Sequence, residues 1–294
     1  MGDQPIPQIR SFNRAVVESI GALNDHFLGR ELPLAEARLL WEIGPEGADV
    51  RTLRRRLGLD SGYVSRILRA LEKRGLIQVQ TGAEDRRVRR AGLTGTGLAE
   101  RDELDRRSDE AAARILEPLS ERQRSTLTEA MAQVERLLEA SLIQFAIEDP
   151  ASADARWCID QYFAELNARF EAGFNAAISI PADAKELTAP AGAFMIARLR
   201  DRPVGCGALK FHGQSPAELK RMWISSSVRG IGLGRRMLHE LEQYAKQSGA
   251  PGVRLETNRA LGEAIALYRR SGYTEVPAFN AEPYAHHWFE KRFD

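Results

Sequence analysis

The sequence predicts two domains of different fold class: a helical N-terminal domain that carries a β-hairpin, and a C-terminal α/β domain with a mixed sheet. The chain has 294 residues, which is enough for two domains. Apolar residues recur at helical spacing through most of the first half, and strand-like runs alternate with helical segments in the second. We expect domains at 1–148 and 155–294, joined by a linker at 149–154 in which Pro150 ends the preceding helix.

In the C-terminal half, a glycine-rich turn joins a predicted strand to a predicted helix. The apolar run 219–224 favours the strand, and the helical pattern begins near Leu233 and continues through Met237 and Leu241. The turn between them is Arg229-Gly230-Ile231-Gly232-Leu233-Gly234. Free N–H groups at a helix N-terminus attract anions, and glycine lets the backbone approach a phosphate closely. The sequence therefore predicts a phosphate site at the start of this helix.

Two common phosphate-binding loops do not fit this turn. A P-loop needs Lys followed by Ser or Thr after its last glycine, whereas Arg235 and Arg236 follow here. The dinucleotide-binding pattern G-x-G-x-x-G would place its third glycine at Leu233 or Met237. The pattern that remains is Arg-x-x-Gly-x-Gly.

The residues downstream of the turn complete a longer signature. A predicted strand ends at Asn258, the next helix carries Tyr268, and Gly272-Tyr273 begins another strand. In this order, the turn and these elements resemble the GNAT superfamily of N-acetyltransferases. The resemblance implies a mixed, mostly antiparallel sheet, acetyl-CoA as co-substrate, and transfer of its acetyl group to an amine. The alternative is an ordinary βαβα unit whose glycines only make turns.

The resemblance also assigns two catalytic residues. Glu218 begins the strand that leads to the turn, where many GNAT enzymes place a base that deprotonates the amine directly or through water. Tyr268 stands where many of them keep a tyrosine near the coenzyme sulfur, and a phenol can protonate the departing thiolate. The alternatives are a solvated glutamate at the strand end and a tyrosine that packs with Leu261 and Ile265 in the core.

Further contacts to the coenzyme follow from the same resemblance. The backbone of Met222, Trp223 and Ile224 is expected to bind the pantetheine arm and to supply the oxyanion donor. Asn258 is expected to contact that arm, unless it only caps the next helix. The expected pyrophosphate residues are Arg229, Gly230, Ile231, Gly232, Leu233, Gly234 and Arg235. Arg270 is a candidate for the 3′-phosphate, with a solvated helix position as the alternative. The residues expected around the acceptor are Phe170, Phe174, 181–191, Asn280, Tyr284 and His286.

The N-terminal half contains a predicted helix-turn-helix. One helix is expected over 50–57 and a second over 61–74, separated by Gly58-Leu59-Asp60, with Asp60 or Ser61 as the cap of the second. The apolar stripe of the second helix is Val64, Ile67, Leu68 and Leu71. Its opposite face carries polar and basic residues and is free to enter a major groove.

A β-hairpin with an arginine-rich tip follows the two helices. The strands are expected over 76–80 and 91–94. The run Leu-Glu-Lys-Arg-Gly-Leu-Ile, then Asp85-Arg86-Arg87, then Leu93-Thr94-x-x-Gly97, resembles the MarR family of winged-helix regulators, over about residues 8–147. The resemblance implies a homodimer that binds an inverted repeat in double-stranded DNA. The implied DNA-binding residues are Ser61, Ser65, Arg66, Arg69, Arg86, Arg87 and Arg89.

The charge distribution favours DNA binding by this region alone. The whole chain carries a net charge of only +1, but residues 51–90 hold 12 Lys and Arg against 4 Asp and Glu. Residues 100–149 hold 7 against 13. The alternative to DNA binding is an arginine-rich face that is only solvated.

Three helices are expected to form the dimer, or in part the core of the domain itself. They span about 8–29, 96–117 and 121–147, the last with a capping box from Ser120 to Gln123.

These patterns together predict a cytoplasmic, dimeric regulator fused to an acetyl-CoA-dependent N-acetyltransferase. The aromatic residues of the acceptor side favour a small amine, with a protein lysine as the alternative. A second hypothesis is a GNAT-like domain that only senses acetyl-CoA or a small ligand, and a third is a winged helix that only dimerises.

No apolar run is long enough for a membrane span, and two separated cysteines suit a reducing compartment. No metal site is expected, because the cysteines lack CxxC spacing and His286 and His287 point to opposite faces of a strand.

Overall fold

The computed structural model of the chain describes residues 5–21, 27–81 and 89–293. The chain divides into two compact units, residues 1–129 and 130–294. None of the described helices combines the length and apolar character needed to cross a bilayer.

The N-terminal unit is helical and contains the predicted helix-turn-helix. Its helices are α1 (Pro5–Ser19), α2 (Leu34–Ile43), α3 (Val50–Leu57), α4 (Ser61–Lys73) and α5 (Gly95–Leu116), and α6 (Glu121–Ser141) begins in it. Local caps set the bounds of α3 and α4. The Asp60 carboxylate accepts the N–H of Tyr63 at 2.8 Å, and Gly58 ends α3 in the left-handed conformation. The buried stripe of α4 is the predicted one, Val64, Ile67, Leu68 and Leu71.

A small antiparallel sheet follows α4. Its strands are β1 (Ala48–Asp49), β2 (Ile77–Thr81) and β3 (Arg89–Leu93), in the order β1-β3-β2. The β2–β3 pairing runs from Ile77 opposite Leu93 to Thr81 opposite Arg89, which is the hairpin expected for a wing. The hairpin tip, with Arg86 and Arg87, lies outside the described residues.

The apolar stripes of α1 and α6 are largely exposed. No residue of α1 is buried; Ile9 is 56% exposed and Phe12 is 41% exposed. On α6, Met131, Leu137 and Leu138 are each more than half exposed. The predicted capping box is present, since Gln123 Oε1 accepts the Ser120 N–H at 3.0 Å. These stripes therefore contribute little to the core of the single chain. Helix α1 is shorter than predicted, because it ends at Ser19 and residues 27–29 form a separate 3-10 turn.

The predicted helix over 121–147 is wrong at its C-terminal end. Helix α6 ends at Ser141, and β4 (Ile143–Ile147) pairs antiparallel with β5 (Gly192–Leu199). The alternation of Ile143, Phe145 and Ile147 is compatible with a strand as well as with a helix. The segment forms a strand because it can pair with the edge of β5. The chain therefore enters the second sheet before the expected linker, and α7 (Ala153–Arg169) starts at its Ser152 cap within that linker.

The C-terminal unit is built around a seven-stranded sheet. Its remaining elements are β6 (Arg202–His212), β7 (Ser215–Ile224), α8 (Leu233–Gln247), β8 (Gly252–Thr257), α9 (Gly262–Arg270), β9 (Thr274–Glu275) and β10 (His287–Arg292). The strand order is β4-β5-β6-β7-β8-β10-β9, and all pairs are antiparallel except β7–β8. The mixed, mostly antiparallel sheet is thus confirmed. Side chains alternate along β5 between two cores: Phe194 and Ile196 pack with α7, whereas Met195 and Ala197 pack in the cluster that holds α8.

Residues 176–180 form turns rather than a strand. Asn175 Oδ1 accepts the N–H of Ala177 at 3.0 Å, which closes a tight turn. Farther along, the Glu282 carboxylate accepts the N–H of Ile180 at 2.7 Å, so a side chain occupies the donor that a strand partner would need.

Candidate active site and DNA-facing surface

The parallel strands β7 and β8 diverge and open a gap in the sheet. They pair only at Ala217 with Val253 and at Glu218 with Arg254. Beyond this point, two adjoining cavities lie against the C-terminal half of β7. The first is lined by β7, the end of β8, α7 and the loops 174–182 and 282–285. The second is lined by α7, α9, residues 222–224, Arg229 and Gly234.

The two cavities share a small set of residues, which marks where they meet. These residues are Tyr162, Leu166, Met222, Leu261, Ala264 and Tyr268. Tyr268 is 7% exposed, and burial, together with the nearby Glu256 carboxylate, raises the pKa of its phenol. The Tyr162 phenol has a raised pKa for the same first cause. Both phenols therefore stay protonated at neutral pH, and Tyr268 stands between the two cavities.

The second cavity leads to the predicted phosphate loop. Gly230 and Gly232 have φ values of +83° and +80°, a conformation that glycine adopts without steric cost. Gly232 is the N-cap of α8, and no side chain in the described part of the chain caps the helix there. The first N–H groups of α8 have no partner within the helix, because helical pairing starts with Arg236 N–H to the Gly232 carbonyl. This end of α8 can therefore bind an anion through its backbone.

Arg229 is held beside this helix end. Its guanidinium donates to the Ile224 carbonyl at 3.0 Å and forms an ion pair with Glu165 of α7. The same Glu165 oxygen accepts the Trp223 indole N–H at 3.0 Å. Glu165 therefore orients both a loop arginine and the end of β7.

A β-bulge re-aims the side chains of β7 at the first cavity. Cys206 and Ala208 of β6 lie opposite Trp223 and Lys220, so β7 has one residue more than β6 in this interval. Arg221 takes the extra position with a φ of +53°, a left-handed conformation that costs a non-glycine residue about 1 kcal/mol. Residues 219–222 all line the first cavity, and the Arg221 guanidinium lies 5.4 Å from the ring centre of Phe163, which lines it too.

Glu218, the predicted base, lies outside the residues that line either cavity. It is 6% exposed and is held by Arg254 at 2.8 Å, His212 at 3.4 Å and Lys220 at 3.6 Å. Burial alone would raise the pKa of Glu218, but the combined effect of Lys220, His212 and Arg254 outweighs it and lowers the pKa. The side chain is therefore an ionised partner in a charge cluster at the closed end of the gap.

The carboxylates that do line the first cavity are Glu256 and Glu282, which the sequence interpretation missed. Glu256 forms an ion pair with Lys220 and lies 3.4 Å from the Asn280 amide nitrogen. A signal was present in the alternation of Arg254, Glu256 and Asn258, which indicates a polar face on β8. No local pattern marks Glu282, because it lies in a loop.

The remaining predicted residues fall into three groups. Met222, Trp223 and Ile224 line the second cavity, whereas Phe170, Phe174, Pro181, Ala182 and Tyr284 line the first. Asn258 also lines the first cavity, but its side chain is engaged locally: it accepts the Ala260 N–H at 2.8 Å and donates to the Tyr284 carbonyl at 2.7 Å. Arg235 and Arg270 are exposed, and neither Arg270 nor His286 lines either of these two cavities.

In the N-terminal unit, the exposed face of α4 carries the predicted DNA-binding residues. Ser61, Arg66 and Arg69 are exposed, and Ser65 is half-buried. The Arg66 guanidinium lies 5.6 Å from the centre of the Tyr63 ring. Arg89 is exposed at the start of β3. These side chains are available to a partner that presents phosphates or base edges.

Comparisons with known proteins agree with both units. The sequence model of the acetyltransferase (GNAT) family matches residues 159–273. The MarR family model matches residues 31–88. The IAA acetyltransferase of Azospirillum brasilense is 35% identical over 98 residues, which are 33% of this chain and 64% of that protein. The chain thus spans less than two thirds of the length of this curated relative.

Solved structures similar to each half are known. An acetyltransferase of the GNAT family from Staphylococcus aureus Mu50 covers 51% of this chain and 98% of its own, with a TM-score of 0.44 and 14% identity. Wild-type MarR from E. coli, in its apo form, covers 42% of this chain and 93% of its own, with a TM-score of 0.39 and 19% identity. The two family models match separate stretches in the order that the motifs indicated: the chain contains a MarR family domain at residues 31–88, followed by an acetyltransferase (GNAT) family domain at residues 159–273.

Proposed function

We propose that the C-terminal domain transfers the acetyl group of acetyl-CoA to the nitrogen of a small amine. The observation that carries this proposal is the pair of cavities that meet at Tyr268. One cavity leads to the uncapped N-terminus of α8, and the other is lined by carboxylates and aromatic rings. A substrate pair that must react at one point fits this arrangement.

Acetyl-CoA is the substrate assigned to the second cavity. Its diphosphate would bind the free N–H groups at the start of α8, where the helix dipole favours negative charge. Gly230, Gly232 and Gly234 present no side chain to this ligand, and a Cβ at Gly230 or Gly232 would meet no protein atom within 4 Å. Arg229 and the exposed Arg235 supply positive charge, and Arg270 is the candidate for the 3′-phosphate. The pantetheine arm would follow the backbone of residues 222–224, in the part of β7 that does not pair with β8.

The proposed reaction uses Glu256 and Tyr268 as the proton-transfer groups. Glu256 accepts a proton from the ammonium, and the free nitrogen attacks the thioester carbon. As the carbon–sulfur bond breaks, its electron pair goes to sulfur, and Tyr268 donates its phenolic proton to the thiolate. The second proton that the nitrogen loses restores the Tyr268 phenol, and the proton on Glu256 passes to solvent. Glu218, which contacts Lys220, is proposed as a positioning residue for the Lys220–Glu256 pair.

A small acceptor is favoured by the walls of the first cavity. Phe163, Phe170, Phe174 and Tyr284 form one aromatic cluster, in which the Phe174 and Tyr284 ring centres are 4.9 Å apart. Such rings provide a large apolar surface for a compact molecule. A protein lysine would use only the end of this cavity.

The direct test is release of free coenzyme A thiol. The full chain is incubated with acetyl-CoA and pools of small amines, and products are identified by mass spectrometry; a lysine-containing peptide pool is run in parallel. We expect thiol release together with an acetylated small amine. Thiol release with the peptide pool alone would assign a protein acceptor. Acetyl-CoA binding without thiol release in any pool would instead support a domain that only senses the coenzyme.

For the N-terminal domain, we propose binding of double-stranded DNA as a homodimer at an inverted repeat. The exposed arginines of α4 and β3 support the first part, because they can reach phosphates and base edges. The exposed apolar residues of α1 and of α6 support the second, since an exposed apolar helix face marks an interaction site. Two copies related by twofold symmetry would read a site with the same symmetry.

A further inference from the structure

We propose that the amine acceptor carries a carboxylate, and that Arg221 binds this carboxylate in the first cavity. The acceptor class would then be an amino carboxylate, such as an α-amino acid. The inference rests on the proposed function and adds to it the anionic group that the substrate must present.

The first observation is that Arg221 is a half-buried cation with no anionic partner. Among residues 5–21, 27–81 and 89–293, no carboxylate lies within ion-pair distance of its guanidinium. Its described neighbour is the Phe163 ring, whose centre lies 5.4 Å away. Burial lowers the pKa of Arg221, and the opposing electrostatic effects of Tyr162, Cys206, Asp183 and Glu186 are smaller than the effect of burial. A planar, weakly hydrated guanidinium in such a place suits a bidentate contact to a carboxylate.

The second observation is the backbone that holds Arg221 in place. Residue 221 is the extra residue of the β7 bulge and adopts a left-handed φ of +53°. The Cys206 thiol lies 3.3 Å from its carbonyl oxygen, so the bulge is tied to β6. A regular strand would have sent this side chain to the opposite face from Lys220. The bulge therefore places a second cation in the cavity at the expense of backbone strain.

The third observation is that Glu282, a carboxylate in the same cavity, has only uncharged hydrogen-bond partners. Glu282 is 9% exposed and accepts hydrogen bonds from Ile180 N at 2.7 Å, Ser179 Oγ at 2.9 Å and Tyr284 N at 3.2 Å. Lys220 and Glu256 neutralise each other. Within the described part of the chain, the cavity thus keeps one uncompensated cation and one uncompensated carboxylate, which do not pair with each other. An acceptor that carries a carboxylate beside its amine supplies the anion that Arg221 lacks, whereas a simple amine leaves Arg221 without one.

The test compares amino acids with the amines that remain when their carboxylate is removed. Phenylalanine with phenethylamine, and leucine with isoamylamine, are suitable pairs for the full chain with acetyl-CoA. We expect the wild-type protein to acetylate the amino acid with a kcat/KM at least about tenfold higher than that of its partner amine. Equal rates for both members of each pair, or a preference for the amines, would overturn the carboxylate assignment while leaving acetyl transfer intact.

Variants separate carboxylate binding from a structural role of Arg221. Arg221→Gly should raise KM for the amino acid at least about thirtyfold and change the amine little, because it removes only the partner of the carboxylate. Arg221→Lys should restore part of the preference. The matched control is Arg200→Gly, because Arg200 is an exposed arginine with a φ of +58° in the turn between β5 and β6. Both glycine variants relieve a left-handed backbone, but only the first should alter selectivity.

If no acceptor is turned over, binding still decides the inference. N-acetylphenylalanine and N-acetylphenethylamine are then titrated into the coenzyme A complex. Tighter binding of the carboxylate, lost in Arg221→Gly but kept in Arg200→Gly, would support the inference even though the transferase proposal had failed. Equal binding of the two compounds, or equal losses in the two variants, would refute it.

Discussion

Tyr268 is one of the six residues that line both cavities of the acetyltransferase domain. Its phenol is enclosed, and burial holds its pKa above the usual value of 10.0. A neutral phenol at the meeting point of two substrates can donate a proton to a leaving thiolate, and it keeps that proton across the neutral and mildly alkaline range.

Replacing Tyr268 with Phe is expected to lower kcat by about a hundredfold, because the thiolate loses its proton donor. KM and the melting temperature should change little, since the ring remains. Tyr273→Phe is the matched control: its ring centre lies 5.8 Å from that of Tyr268, yet it lines neither cavity. Steady-state kinetics at pH 7–10 make the comparison. An unchanged kcat in Tyr268→Phe, or equal losses in both variants, would remove Tyr268 from the reaction.

At this scale, the sequence predicts residues whose position follows from regular elements. Tyr268 is one, because its place in α9 depends only on helical spacing. Arg221 could not be predicted in this way, because its orientation depends on a bulge that no local sequence pattern predicts. In a regular strand, side chains alternate between two faces, so Lys220 would share a face with Glu218 and Arg221 would lie on the other. The extra residue in β7 interrupts this alternation.

At the scale of elements, Glu218 links β7 to β8 at the closed end of the gap. It pairs with Arg254 directly opposite in the parallel register. The carboxylate has a lowered pKa in the folded protein, below its usual 4.5. It therefore contributes stability that is fully present above pH 4.5 and is lost as the pH falls through the lowered folded value.

Replacing Glu218 with Gln is expected to lower the free energy of unfolding at pH 7 by about 2 kcal/mol, because it leaves the half-buried Arg254 guanidinium without its anion. The difference from wild type should shrink on acidification below pH 4.5. Urea unfolding at a series of pH values measures it. Glu135→Gln, at an exposed site on α6, is the control and should change little. A difference that is constant with pH would show that the ion cluster is not the cause.

The elements themselves are predictable where capping residues mark their ends. Helices α3 and α4 fall within one residue of the expected bounds, because Gly58 and Asp60 supply local stop and start signals. The sequence predicts a helix where β4 forms, because the apolar residues of β4 continue the stripe of α6. Its partner, β5, lies almost fifty residues away, so the decisive hydrogen bonds are not local.

At the scale of the whole molecule, the order of two families along one chain could be predicted from their motifs. The net charge of the whole chain is only +1, but residues 51–90 are strongly basic, and this segment includes the exposed face of α4. An electrostatic footprint confined to one domain is expected to give DNA binding that depends on salt.

Binding of a mixed-sequence 30-base-pair duplex is expected to weaken steeply between about 50 and 200 mM salt. Arg69→Ala should reduce the slope of log affinity against log salt by about 1, because one phosphate contact is lost. The control is Arg114→Ala, which removes an exposed arginine of α5 outside the basic segment. Fluorescence anisotropy of a labelled duplex provides the slopes. Binding that is absent, or that does not respond to salt, would contradict a DNA-binding role.

The central claim is that backbone amides at the start of α8 hold the diphosphate of acetyl-CoA, and calorimetric titration tests it most directly. Gly232→Ala and Gly249→Ala form a matched pair, because both glycines have φ above +79° with free space around them, at opposite ends of α8. Each substitution should cost about 1 kcal/mol of stability. We predict saturable heat with acetyl-CoA for the wild type and for Gly249→Ala, and binding at least about tenfold weaker for Gly232→Ala. No heat with the wild type, or equal affinity in the two variants, would contradict the account.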